Sequence, residues 1–187
     1  MRKPVVAAVV AAVLAVLVVV TIGPAEAAAP PTPAFGPAIE GYAKYDPQRT
    51  CDPTAKPGVV EFRDLLNRTY GTHTSYIGRP CGGGSSEHFD GRALDFMLDV
   101  NNPADRAVAN DLLAWLLNTD RYGHNHAMAR RLGIMYVIWN RQIWGAWSPN
   151  AWQPRACDGS SSDCHTNHIH FSFGWPGAQR QTSWWWR

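Results

Sequence analysis

Two short stretches carry the residue types that can do chemistry. Ser86-Glu87-His88-Phe89-Asp90-Gly91-Arg92-Ala93-Leu94-Asp95 supplies an imidazole and, seven residues on, a carboxylate; His165-Thr166-Asn167-His168-Ile169-His170 supplies three imidazoles. A His, a carboxylate and a His-x-His pair are the inventory of a zinc site with three protein ligands and one open position. An ion held that way lowers the pKa of a bound water from 15.7 to roughly 7 and polarises a carbonyl, which is the chemistry of amide hydrolysis. Such a reaction needs a general base within about 3 Å of the water.

These residues must be positioned by strands and turns. Gly91 permits a sharp bend between His88 and Asp95, and residues 93–98 read as a strand, so a loop His and a strand Asp can converge on one ion. Residues 169–173 read as another strand. His168 and His170, two apart, then share a face, so one can ligate while its neighbour stands over the open position; His168 is the candidate base. Further strand signals fall at 74–78, 134–140 and 142–144, and the continuous run Ile134-Met135-Tyr136-Val137-Ile138-Trp139 suits a central strand covered on both faces. Helical spacing of Val59, Phe62, Leu65, Leu66 and Thr69, behind Pro57 and before Gly71, predicts a helix over 57–70. A second helix is expected over 103–118, opened by Asn101-Asn102-Pro103, and a third over 125–132, ending at Gly133. His124 and His126 are read as solvated residues around an Asn125 cap rather than as a second ligand pair. The expected fold is α+β: a small antiparallel sheet bearing the zinc site, packed with about three helices.

The N-terminus joins Met1-Arg2-Lys3 to an apolar run over 4–22 and an Ala25-Glu26-Ala27 exit, the pattern of a signal peptide over 1–27. The run approaches the roughly 17–25 residues that span a bilayer, so membrane contact is expected only if this segment stays uncleaved. About 160 of the 187 residues remain, the size of one domain. Residues 28–50 are rich in Ala and Pro and read as a linker, leaving 51–187 as the zinc peptidase-like domain. A net charge of +2, with no basic run outside the N-terminus, argues against nucleic acid as a partner. Four cysteines in an exported chain point to disulfides. Of three pairings, Cys51 with Cys81 and Cys157 with Cys164 is preferred, the second closing a Gly/Ser-rich loop just before His165. The location expected is secreted, extracellular or cell-wall associated. Trp147 and Trp152 lie in a Gly/Pro/Ser-rich loop and are candidate substrate contacts, since aromatic surfaces bind sugar faces. The terminal Trp184-Trp185-Trp186 is too short to span a membrane.

Ser86-x-His88-x-x-Gly91-x-Ala93-x-Asp95 matches every fixed position of the motif of D-Ala-D-Ala carboxypeptidases. Through it the chain resembles the zinc peptidases that group those enzymes with lysostaphin-like endopeptidases, penicillin-insensitive murein endopeptidases and the hedgehog signalling domain. The resemblance implies that His88, Asp95 and His170 ligate Zn2+. One departure stands out: the carboxypeptidases carry a catalytic Glu three residues before the last ligand, and here that position is Asn167, an amide that cannot take up a proton as a carboxylate does. His165-x-x-His168-x-His170 is instead similar to the murein endopeptidase branch, whose first histidine of the pair assists the water. That likeness gives His168 the role of base or transition-state stabiliser and His165 a secondary contact. Glu87, beside His88 in a strand-like segment, is expected to point away. Arg79 matches the arginine that contacts substrate or oxyanion in the carboxypeptidase branch, and Ser86 is a further candidate substrate contact. The stretch 132–140 with Trp144 also looks like secreted actinobacterial proteins carrying such a domain. Together these readings predict a secreted zinc metallopeptidase that hydrolyses amide bonds in peptidoglycan stem peptides or cross-links. The alternative is a non-catalytic, zinc-stabilised cell-wall or glycan-binding module, which the hedgehog branch shows can arise on such a fold.

Overall fold

The strands expected around the two chemistry-bearing stretches pair with each other. In a computed structural model that describes residues 29–186, which leaves the expected signal peptide outside the described residues, six strands form one antiparallel sheet. They are β1 (Ser75–Tyr76), β2 (Ala93–Phe96), β3 (Ile134–Trp139), β4 (Gln142–Gly145), β5 (Gln153–Pro154) and β6 (Ile169–Phe173), in the order β1-β2-β6-β3-β4-β5. The helices are α1 (Pro57–Tyr70), α2 (Pro103–Leu117), α3 (Ala127–Leu132) and the short α4 (Trp175–Ala178), with a 3-10 turn at Glu87–Asp90. The class is α+β as expected. The two-residue β5 and the single turn of α4 carry no periodicity that a sequence could reveal.

Side-chain alternation divides the central strands between two tasks. On β6, Ile169, Phe171 and Phe173 face the helices, and Phe62 of α1 meets the rings of Phe171 and Phe173 edge-on at 5.2 and 5.4 Å. His170 and Ser172 face the other way. The register carries this division to the neighbours, for Asp95 and Ala93 of β2 lie opposite His170 and Ser172, while Leu94 and Phe96 join the core. From β3, Ile138 and Tyr136 pair with the same two residues. All five residues of β6 are buried, because helices cover one face and the 3-10 turn and loops cover the other.

Residues 29–50 run without helix or strand and are pinned to the domain. Phe35, Ile39 and Tyr42 pack on the core. The buried Arg131 donates to the carbonyls of Gly36 and Ala38, Arg130 to that of Glu40, and Arg92 to that of Asp46. Arg92 is the deepest of these. With Asp90 it forms an ion pair at 3.3 Å in which both side chains are 0% exposed, and it also donates to Phe173 O at 2.9 Å. Asp90 in turn accepts from the backbone N–H and hydroxyl of Thr50. One buried pair therefore ties the 3-10 turn, β6 and the N-terminal strap together.

Both expected disulfides, Cys51–Cys81 and Cys157–Cys164, are formed. Among the described residues no helix is long and apolar enough to cross a membrane. Removing one partner of a dry ion pair strands the other, so Arg92→Ala is expected to lower stability by about 3–5 kcal/mol, read from urea unfolding.

Candidate metal centre

His88, Asp95, His165, His168 and His170 converge on the sheet face away from the helices, at the floor of a cavity of about 550 Å³. Two overlapping groups place their donor atoms within 4.8 Å of one another: His88 with Asp95 and His170, and His165 with His168 and His170. Asp95 Oδ1 is the common point. It lies 2.7 Å from His170 Nδ1, 3.2 Å from His88 Nε2 and 3.4 Å from His168 Nε2.

Each element sets one of these side chains. Gly91 has φ 66°, and a Cβ there would stand 2.0 Å from Thr54 O, so both its conformation and its surroundings require glycine. Its N–H closes the 3-10 turn on His88 O, which lets His88 fold back over β2 toward Asp95. His165 adopts φ 52° directly after Cys164. Its carbonyl accepts from Asn140 N and that of Cys164 from Arg141 N, so the disulfide-closed loop is docked against the β3–β4 turn. His168 immediately precedes β6 and His170 lies within it.

The far nitrogen of every ring has an acceptor, and this determines what the near nitrogen offers. His88 Nδ1 sits 2.5 Å from Ile77 O and His165 Nδ1 sits 2.8 Å from Asp163 O; a carbonyl only accepts, so both Nδ1 atoms carry hydrogen. His168 Nδ1 lies 2.8 Å from Asn167 Oδ1, and His170 Nε2 lies 2.9 Å from Ser172 Oγ. In their neutral forms His88, His165 and His168 therefore carry the lone pair on Nε2, which for His88 and His168 faces Asp95 Oδ1, whereas His170, between Asp95 and the Ser172 hydroxyl, can carry its hydrogen on either nitrogen. A proton on His170 or His88 makes the hydrogen bond to Asp95, and a metal ion would take that proton's place. The donor set, imidazole nitrogens with one carboxylate, suits zinc, and the oriented far nitrogens are what metal-ligating histidines require.

Burial pushes the Asp95 carboxyl up, but hydrogen bonds and charge from His170 and His88 outweigh it and hold the group well below the usual carboxylate range. Burial, with the charge of His170, pushes His165 down to about 4. Burial also lowers His168, against the opposing pull of Asp95. Both rings are thus neutral at pH 7.

The remaining expected site residues divide. Arg79 and Ser86 line the cavity and touch each other at 3.0 Å, with the Arg79 guanidinium over the Phe89 ring. Neither Trp147 nor Trp152 lines it. Trp147, 53% exposed, packs over Gly145 and stands 5.9 Å from the ring of Tyr136, which does line the cavity; Trp152 packs half-buried on the core. His124 and His126 are not solvated as expected: the first bonds Asp120 and the second Tyr42, and it is His126, with φ 54°, that precedes α3. Glu87 corrects the expectation more sharply. It was to point away along a strand, but the 3-10 turn directs it into the cavity, where it is buried and accepts from Tyr136 Oη and Ser172 Oγ. Burial and the Glu87 charge push the Tyr136 hydroxyl far up, so it stays a donor. Ser172, two residues past His170 on the same face, was the one sequence clue to this network.

Sheet, turn and histidine cluster define an α+β domain built around a candidate cation site. A family model, the VldE C-terminal domain, matches residues 51–168, a span that includes His88, Asp95, His165 and His168. The chain belongs to that family. No curated protein and no solved structure matches it.

Because His165 takes up its proton near pH 6.5 when unfolded and near 4 when folded, the unfolded chain binds more protons between these values. The metal-free protein is expected to be most stable above about pH 6.5 and to lose stability steadily toward pH 4, measured as the melting temperature in chelator; His165→Gln should flatten that slope.

Proposed function

We propose that the protein is an exported zinc-dependent peptidase that hydrolyses amide bonds in peptidoglycan stem peptides or cross-links. The observation that carries this reading is the convergence of His88 Nε2, Asp95 Oδ1 and His170 Nδ1 at the floor of an open cavity, with His168 Nε2 beside them. His88, Asp95 and His170 would hold the ion. Zinc at such a site acidifies water and polarises a carbonyl.

The protein's own groups supply the rest. His168, neutral at pH 7 and oriented by Asn167, offers Nε2 as the proton acceptor. His165 flanks it, with ring centroids 4.6 Å apart. Arg79 and Ser86 on the cavity wall are placed to meet a substrate carboxylate or carbonyl. The two disulfides suit an oxidising, extracellular location.

One observation favours a second reading. His168 Nε2 lies nearly as close to Asp95 Oδ1 as His88 Nε2 does, so His168 can also serve as a fourth ligand and close the site, which describes a zinc-stabilised binding module.

His168→Ala separates the two. In the peptidase, wild type releases peptide fragments from purified peptidoglycan, chelation stops release and zinc restores it. His168→Ala should then retain stoichiometric zinc while losing about 10²-fold or more in rate. Mass spectrometry of the products and metal analysis of the variants read both quantities. A wild type that releases nothing, with a His168→Ala variant that loses its zinc, establishes the closed site instead.

A further inference from the structure

Three of the four cavity histidines are oriented by amide or backbone carbonyl oxygens, which can only accept. His170 is the exception. Its far nitrogen meets a hydroxyl, Ser172 Oγ at 2.9 Å, and a hydroxyl can donate as well as accept. If Ser172 donated to Nε2, the ring hydrogen would move to Nδ1, 2.7 Å from Asp95, and the lone pair would turn away from the site. Something must take the hydroxyl hydrogen.

Glu87 is the group in place to do so. Ser172 is 0% and Glu87 4% exposed, so neither has water as a ready partner. Ser172 Oγ donates to Glu87 Oε2 at 3.5 Å, the longest link, and Tyr136 Oη donates to the same oxygen. The Tyr136 ring also stacks on His170, with centroids 5.6 Å apart and planes inclined by 19°. A buried carboxylate with two converging hydroxyls thus ends a chain that runs from His170 Nε2–H through Ser172 to Glu87.

We infer that Glu87, acting through Ser172, is a positioning residue that keeps hydrogen on His170 Nε2 and leaves Nδ1 free to bind the ion. Tyr136 holds the carboxylate in line. This rests on the metal-binding reading above, but it assigns work to three residues outside the ligand set. In it Glu87 acts through Ser172, on the ring nitrogen of His170 opposite the one that faces Asp95.

The test is zinc affinity, measured by competition with a chromophoric chelator, together with the 15N spectrum of zinc-loaded His170. Ser172→Ala is expected to weaken zinc binding roughly 10- to 100-fold. Glu87→Ala should weaken it comparably in the wild-type background and add little in the Ser172→Ala background, because the link is already cut. Glu87→Gln, whose amide oxygen still accepts, should recover part of the affinity, and the wild-type spectrum should show hydrogen on Nε2. The inference is overturned if Ser172→Ala binds zinc as tightly as wild type, if Glu87→Ala costs as much in either background, or if hydrogen lies on Nδ1. A wild type that binds no zinc overturns the metal reading itself, a result distinct from the variant comparisons.

Discussion

The register between β2 and β6 is the constraint from which the rest follows. Asp95 opposite His170 and Ala93 opposite Ser172 put every site residue of both strands on one face, and by the same pairing put Leu94, Phe96, Ile169 and Phe171 on the other. Since side chains alternate with a period of two, a slip of one residue would bury the carboxylate among the helices and turn Phe171 into the cavity. Core and site are therefore not separate specifications. The helices that pack on Phe171 and Phe173 select the register, and the register delivers the carboxylate to the imidazole.

What the register cannot do is bring in the residues that lie off these strands, and each of those has its own local device. The 3-10 turn returns His88 over β2, and it is locked by Arg92 and Asp90, the two residues flanking Gly91, through a buried pair that also grips the N-terminal strap. The Cys157–Cys164 loop carries His165 to the site with a left-handed backbone. These devices concentrate buried imidazoles around one carboxylate, an arrangement whose desolvation is costly. A cation bound there would offset that cost and add its binding energy to folding stability.

Sequence was informative where a residue's role followed from periodicity or from a fixed spacing. The bounds of β6 and α1 were legible because alternation and helical spacing are local signals, the disulfide pairing followed a preference for closing short loops, and the grouping of His88, Asp95 and His170 came from the family resemblance. Glu87 was misjudged for an equally local reason: its direction depends on whether 87–90 is extended or wound, and nothing in Glu-His-Phe-Asp separates a strand from a 3-10 turn. Tyr136 was hidden for a different one. In the run Ile134 to Trp139 it reads as one more core aromatic, and only the pairing with Ser172 shows that its hydroxyl points at a carboxylate. Ala and Pro content makes residues 28–50 read as a linker; the attachment of the described part, 29–50, depends on Arg92, Arg130 and Arg131, all remote in sequence.

Asn167 shows how an amide can orient a site without charging it. A carboxylate at that position would add a negative charge to the cavity wall, and the amide does not. It keeps one function of a carboxylate, accepting from the Nδ1–H of His168, and so turns that ring's lone pair toward Asp95. The cavity's second buried carboxylate belongs to Glu87, which accepts from the Ser172 and Tyr136 hydroxyls. With His165 and His168 neutral at pH 7 and one carboxylate at the common point, the cavity offers a donor set that would suit a divalent ion.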